Sequence, residues 1–250
     1  MNRFKSAQNM RNRCKSAIFL FYFALFLNCA NLAHGNTNEC VILVHGLARS
    51  SSSFETLDNA LVQKGYQTFN IDYESRKFNI STLANTVIDS TLKQAKNCGK
   101  IHFVTHSMGG ILVREYFKSH TNPKLGKVVM LGPPNHGSEV VDNLKSWSFF
   151  QYINGPAGSE LGTDSLSVPN QLGRPHFELG IIAGDRSINW INSLMIDGPD
   201  DGKVSVQSTK LAGMSDHIVI HTTHPMMMDN KEVIKQVLWF LKNGKFEKIE

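Results

Sequence analysis

One short stretch, residues 101–110, constrains the fold more than any other part of the chain. It begins as an apolar, β-branched run that ends abruptly at Ser107, and Met108 is then followed by two glycines. Apolar residues recur at helical spacing from Ile111 to Phe117, which predicts an α-helix. The stretch therefore predicts a strand, a tight turn and a helix, with a serine hydroxyl lifted above the end of a sheet. A buried serine in an ordinary turn is the alternative interpretation.

The rest of the chain alternates between predicted strands and predicted helices. Residues 41–46 are a continuous apolar run, which is typical of a parallel strand buried on both faces. This alternation predicts an α/β fold in which a mostly parallel central sheet carries helices on both faces. The predicted strands span residues 41–46, 66–71, 101–107, 125–131, 177–183 and 217–221, and predicted helices span residues 54–64, 80–96 and 229–241.

Residues 138–176 interrupt this alternation. The segment is rich in Gly, Ser, Pro and Asn, and it carries an aromatic cluster between Trp147 and Tyr152. A long, weakly periodic insertion in a compact domain is usually functional or mobile. We therefore expect one domain over residues 36–250 with a lid-like insertion at residues 138–176.

Residues 1–35 have the composition of a targeting segment. A basic stretch without any acid precedes an eleven-residue apolar run at residues 17–27, which is short for a bilayer span. Small residues at Ala33 and Gly35 suit a signal peptidase. The sequence predicts a signal peptide and an exported protein, periplasmic or secreted, with an uncleaved N-terminal membrane anchor as the alternative.

The two cysteines outside the predicted signal peptide are compatible with an exported protein. Cys40 and Cys98 are the two cysteines outside residues 1–35, and each lies just before a predicted strand. The sequence leaves both a disulfide and two free thiols possible.

The chain has 26 basic and 21 acidic residues. Five of the basic residues lie within residues 1–35, which leaves 21 of each sign, so the charge gives no support to a nucleic-acid partner.

Three stretches resemble the bacterial triacylglycerol lipases and related esterases of the α/β-hydrolase superfamily. They are residues 45–47, residues 105–110 and the segment from Asp201 to His224. The resemblance covers most of residues 40–242, and it implies the α/β-hydrolase fold. Thr105 departs from it, because it stands where the usual Gly-x-Ser-x-Gly pattern has its first glycine.

The same resemblance implies the catalytic roles. A serine hydroxyl is a weak nucleophile that needs a base, and the base needs an orienting acid. The resemblance makes Ser107 the nucleophile, His224 the base and Asp201 the acid. Asp200, next to Asp201, and Asp185, after an earlier predicted strand, remain alternatives for the acid.

The family also implies an oxyanion hole and no cofactor. Its donors are backbone N–H groups, here those of Leu47 and Met108. His45 is expected to support the loop that carries Leu47. His217, His221 and His224 lie close together and raise the possibility of a metal site, but no cysteine or carboxylate set completes one with familiar spacing.

The sequence thus predicts a hydrolase of carboxylic esters, in particular lipid esters. The expected partner is a small-molecule ester or a lipid, and a membrane surface is a candidate partner. An acyltransferase with the same three residues and a lipid-binding pseudo-hydrolase are the alternatives. The oligomeric state cannot be read from the sequence.

Overall fold

Six parallel strands form the centre of the fold in the computed structural model, which describes residues 38–248. They are hydrogen-bonded in the order β2-β1-β3-β4-β5-β6. This confirms the predicted α/β architecture, and within the described residues the sheet is wholly parallel. The strands are β1 Glu39–Val44, β2 Gln67–Ile71, β3 Lys100–His106, β4 Leu125–Leu131, β5 Leu179–Gly184 and β6 Asp216–Ile220.

Helices occupy the connections between these strands. A helical run over residues 80–97, here called α2, contains a π-helical turn at Ala84–Ile88 and ends in a 3₁₀ turn at Ala95–Asn97. The other helices are α1 Glu55–Gln63, α3 Met108–Ser119, α4 Glu139–Leu144, α5 Ser148–Ser159, α6 Val168–Gln171, α7 Trp190–Ser193, α8 Val206–Thr209 and α9 Lys231–Asn243, and 3₁₀ turns span Ser51–Phe54 and His224–Asp229.

The predicted elements lie close to the observed ones. Strand β4 has the predicted bounds, and the other strands differ by one or two residues at their ends. Residues 138–176 are more regular than their composition suggests, because they contain α4, α5 and α6. Helix α5 is kinked at Gly155, where φ is 66°. The predicted signal peptide at residues 1–35 lies outside the described residues.

The two faces of the sheet have separate cores. Successive side chains of a strand point to opposite faces. Accordingly, Ile42 of β1 packs with α2 and α3 on one face, and Leu43 packs with α1 and α9 on the other. Both side chains are fully buried. Burial on both faces accounts for the continuous apolar run of β1.

A disulfide joins Cys40 in β1 to Cys98 just before β3, with their Cα atoms 5.9 Å apart. These two strands are neighbours in the sheet. Within residues 38–248, none of the helices combines the length and the apolar character needed to cross a membrane.

Candidate active site

Ser107 occupies the sharp turn between β3 and α3. Its backbone has φ 53° and ψ −124°, a left-handed conformation that is rare for residues other than glycine. A Cβ on Gly109 would overlap the carbonyl oxygen of Val44, and a Cβ on Gly46 would lie 3.0 Å from that of Ser107. The small residues around the serine therefore allow α3 and the loop after β1 to approach the turn closely.

Asp201 and His224 form a buried acid–base pair. Oδ2 of Asp201 lies 2.7 Å from Nδ1 of His224, and Oδ1 accepts the backbone N–H groups of Lys203 and Val204 at 3.0 and 2.9 Å. The exposed fraction of Asp201 is 1%, so the carboxylate has little contact with solvent. Nε2 of His224 makes no hydrogen bond within the described part of the chain, which leaves this atom available for a reacting group.

The two alternative acids lie elsewhere. Oδ1 of Asp200 accepts the N–H of Gly202 at 2.7 Å and the hydroxyl of Ser193 at 2.9 Å. Asp185 lies 2.9 Å from His221 in an exposed pair. Of the three candidate carboxylates, the structure brings Asp201 to His224.

Ser107, Asp201 and His224 line one cleft with a volume of about 480 Å³. Its other walls are largely apolar, and they come from the inserted segment and from the loops after β1 and β5. Phe150 lines the cleft, whereas the other aromatic residues of its cluster do not. The apolar lining side chains are Leu47, Val140, Val141, Phe150, Ile153, Leu161, Ile188 and Val204. The site thus combines a polar reacting centre with an apolar pocket.

The predicted oxyanion donors are the N–H groups of Leu47 and Met108. Neither donates a hydrogen bond within residues 38–248. The turn after Leu47 is fixed by Ala48, which has φ 55° and donates its N–H to the Ser75 hydroxyl at 3.0 Å. Both amides are therefore available to a negatively charged oxygen, as an oxyanion hole requires.

The loop that carries Leu47 is supported by His45, as expected, and by a residue that the sequence did not reveal. The hydroxyl of Tyr73 donates to the carbonyl oxygen of His45 at 2.6 Å, and the two rings stack with centroids 4.1 Å apart. Nδ1 of His45 donates to the carbonyl oxygen of Gly46 at 2.9 Å. Burial lowers the pKa of His45, which favours the neutral imidazole.

Gly132 is a further site residue that sequence reasoning missed. It follows β4 with φ 52°, and a Cβ at this position would lie 2.9 Å from Oδ2 of Asp201 and 3.1 Å from Nδ1 of His224. Glycine therefore leaves room for the acid–base pair. The only sequence signal was its place at a strand end before Pro133 and Pro134.

His106 contacts both the main chain and the ring of His224. Its Nε2 donates to the carbonyl oxygen of His224 at 3.0 Å, and the ring centroids are 4.5 Å apart. A carbonyl oxygen only accepts, so the proton of neutral His106 is on Nε2. Burial, followed by the charge of His224, lowers the pKa of His106 well below its ordinary value. The lowered pKa favours the neutral form of His106 beside His224.

Arg114 ties α3 to the inserted segment. Its guanidinium is buried and donates to the backbone oxygens of Asn135, Pro169 and Gly173 at 3.1 to 3.2 Å. It also donates to Oδ1 of Asn135 at 3.0 Å. Burial lowers the pKa of Arg114 to about 10. One side chain therefore holds α3 and the end of the insertion together.

Several other histidine and methionine side chains lie outside the cleft. His217 bonds to Thr209 at 2.9 Å and His136 to Asn170 at 3.1 Å, both outside the cleft. Residues 226–228 do not line the cleft either, because Met227 and Met228 pack in the core beneath α9. No group of three or more His, Cys, Asp or Glu side chains in residues 38–248 is arranged to hold a metal.

Residues 39–165 match the family model described as the α/β-hydrolase fold. The chain belongs to the α/β-hydrolase family, which confirms the resemblance seen in the sequence. Membership of this family supports hydrolase activity. A search of curated proteins finds no match.

Solved structures of bacterial lipases and esterases share the fold. The mature form of a lipase from Bacillus licheniformis is 20% identical over 81% of this chain and 91% of that chain, with a TM-score of 0.69. A phospholipase from Legionella pneumophila is 15% identical over 83% and 60%, with a TM-score of 0.66. A metagenomic carboxyl esterase is 18% identical over 77% and 66%, with a TM-score of 0.60. At these identities the comparisons show a common fold.

Proposed function

We propose that this protein is a serine hydrolase that cleaves carboxylic esters through an acyl-enzyme on Ser107. The observation that carries the proposal is the buried Asp201–His224 pair, which opens into the same cleft as the strained Ser107 turn. A nucleophile, a base and an orienting acid in one cleft are the groups that acyl transfer needs.

The mechanism follows from these roles. His224 removes the hydroxyl proton of Ser107 through Nε2 while Oγ attacks the ester carbonyl carbon. The N–H groups of Leu47 and Met108 stabilise the oxyanion that develops. Collapse of the tetrahedral intermediate breaks the acyl carbon–oxygen bond, and His224 protonates the leaving alcohol. Water then repeats the sequence on the acyl-enzyme, while Asp201 stabilises the imidazolium ion in both halves.

Lipid esters are the proposed substrates. The apolar walls of the cleft suit an acyl chain, because burial of apolar surface stabilises such a ligand. Exposed apolar side chains also lie on α5 and α7, which adjoin residues that line the cleft, with Tyr152 86% and Trp190 71% exposed. Neighbouring exposed apolar residues favour contact with a lipid surface. The printed descriptions of the similar structures, a lipase, a phospholipase and a carboxyl esterase, agree with this substrate class.

Export from the cytoplasm is part of the proposal. It is supported by the basic and apolar composition of residues 1–35, and by the disulfide between Cys40 and Cys98, because disulfides persist in oxidising compartments.

Labelling with a fluorophosphonate probe and hydrolysis of p-nitrophenyl butyrate test the proposal together. Ser107→Ala should abolish labelling and lower kcat on the order of 10⁴-fold or more, because the nucleophile is lost. Ser119→Ala removes an exposed hydroxyl at the end of the same helix, and it should keep both signals. Unchanged hydrolysis by Ser107→Ala would overturn the assignment.

A further inference from the structure

A second groove adjoins the catalytic cleft and differs from it in character. It has a volume of about 870 Å³, and it shares Ala48 and Arg49 with the cleft. Four serines line it, Ser50, Ser52, Ser53 and Ser75, and its cations are Arg49, Arg76 and Lys77. The groove is therefore polar and basic where the cleft is apolar, and the two meet at the turn that follows Leu47.

Positive charge exceeds negative charge where the groove and the cleft meet. Arg49 is exposed, and its guanidinium makes no hydrogen bond or ion pair within the described residues. Lys203 is a second cation that lines the cleft, and its amine makes no hydrogen bond or ion pair among residues 38–248, although the Asp201 carboxylate attracts its charge. The cleft residues include one carboxylate, Asp201, which is engaged with His224. Arg49 is therefore free to meet a negative charge on a ligand.

The groove itself contains little negative charge to balance its arginines. Glu74 is its acid, and it pairs with Lys77 at 2.9 Å. Arg76 donates to the carbonyl oxygen of Ile153 at 3.4 Å, a neutral partner. Arg49 and Arg76 thus remain without a carboxylate partner, within the described part of the chain, in a groove that begins beside the reacting centre.

We infer that the physiological ester carries a phosphate on its alcohol portion, with the acyl chain in the apolar cleft and the phosphate in the polar groove beside Arg49. The inference rests on the proposed ester hydrolase function and narrows its substrate class. A planar guanidinium binds phosphate through two parallel hydrogen bonds, and a phosphate offers several acceptor oxygens to neighbouring hydroxyl groups. The phosphate serves recognition only. The bond that breaks joins the acyl carbon to the alcohol oxygen, and no phosphorus–oxygen bond changes.

Two water-soluble esters with the same acyl group test the inference. They are 1-butyrylglycerol and 1-butyrylglycerol 3-phosphate, compared by the ratio of their kcat/KM values on the full chain. The parent protein should prefer the phosphate ester. Arg49→Gln should lower this preference about tenfold, since a hydrogen bond to a charged group is typically worth about that factor or more. Arg49→Lys should restore part of it, and added salt should reduce the preference of the parent.

Lys242→Gln is the matched control, because it removes one exposed positive charge from α9, away from both spaces. It should keep the ratio of the parent. A parent ratio near one, or an unchanged preference in Arg49→Gln, would overturn the inference while leaving the ester hydrolase proposal intact. Hydrolysis of neither ester by a protein that cleaves p-nitrophenyl butyrate would overturn the inference alone, whereas failure on all three esters would overturn the hydrolase proposal as well. Thermal unfolding checks that the variants are folded, and the salt dependence of the parent is a readout that needs no variant.

Discussion

Asp201 contacts His224 twice, once through its side chain and once through its main chain. Oδ2 lies 2.7 Å from Nδ1 of the imidazole, and the carbonyl oxygen accepts the N–H of His224 at 2.9 Å. One residue therefore sets both the orientation of the ring and the path of the loop that carries it. The main-chain contact survives replacement of the side chain, so the two contributions can be separated by mutation.

Asp201→Asn should lower kcat for p-nitrophenyl butyrate by about 10³- to 10⁴-fold, because the imidazole loses its orienting carboxylate and the charge that stabilises imidazolium. The retained contact between the Asp201 carbonyl and His224 should keep the loop in place. Steady-state kinetics give the effect on turnover, and circular dichroism checks the fold.

Asp185→Asn is the control, because Asp185 also pairs with a histidine, His221, but on an exposed surface. Its kcat should stay within about twofold of the parent, as expected for an exposed ion pair. The double replacement of Asp200 and Asp201 by Asn excludes rescue by the neighbouring carboxylate. An active double variant together with an inactive Asp185→Asn would assign the acid to Asp185.

Gly132→Ala should impair turnover more than stability. The added Cβ would meet the hydrogen-bonded atoms of Asp201 and His224, at 2.9 and 3.1 Å, and force them apart. We expect kcat to fall by at least about tenfold, while the strained backbone costs about 1 kcal/mol of unfolding free energy. Turnover and denaturant unfolding should be measured on the same preparation.

Gly173→Ala separates the two effects. Gly173 also has a positive φ, of 66°, but a Cβ there would meet nothing within 4 Å. This control should lose a similar amount of stability and keep its kcat. Equal turnover in the two alanine variants would contradict a role for Gly132 in making room for the acid–base pair.

His106→Gln should weaken the dependence of stability on pH. Burial lowers the pKa of His106 in the folded protein, whereas a histidine in the unfolded chain titrates near 6.5. Below pH 6.5 the unfolded state therefore binds more protons, and the free energy of unfolding falls as the pH falls. Each such histidine contributes up to about 1.4 kcal/mol per pH unit in this range. Glutamine can still donate to the carbonyl oxygen of His224, but it does not titrate.

Urea unfolding between pH 5.0 and 7.5 measures this slope. Burial also lowers the pKa of His45, His102 and His217, so a residual slope should remain in the variant. A slope in His106→Gln equal to that of the parent would show that His106 is not held neutral by the fold.

The sheet could be predicted from the sequence because its strands are buried on both faces. A continuous apolar run as short as residues 41–46, followed by a polar loop, is typical of a central parallel strand. The tight turn at Ser107 could be predicted because an apolar strand, small residues and a helical pattern meet there within ten residues. Asp201 and His224 came from resemblance to a family, and the structure places their side chains in contact.

The supporting contacts could not be predicted, because they join residues that are distant in the sequence. Gly132 lies against Asp201 and His224 only after β4, β5 and β6 are assembled. Tyr73 reaches the carbonyl of His45 from the end of the neighbouring strand.

Thr105 shows how the chain tolerates its departure from the usual pattern before the nucleophile. The side chain is fully buried, and its hydroxyl has no hydrogen-bond partner within the described residues. A Cβ on Gly110 would lie 3.2 Å from that hydroxyl oxygen. A glycine on the helix therefore leaves room for the larger residue on the strand.

The link between Cys40 and Cys98 changes the order in which the sheet can assemble. The two cysteines are 58 positions apart, and the chain between them contains β2, α1 and α2. Pairing β1 with β3 requires closure of that long loop, which costs conformational entropy before any strand contact is made. A chain that is oxidised before it folds begins with the starts of these two strands already tethered. Their pairing then becomes a local event, and the central strands can serve as the nucleus on which the other four assemble.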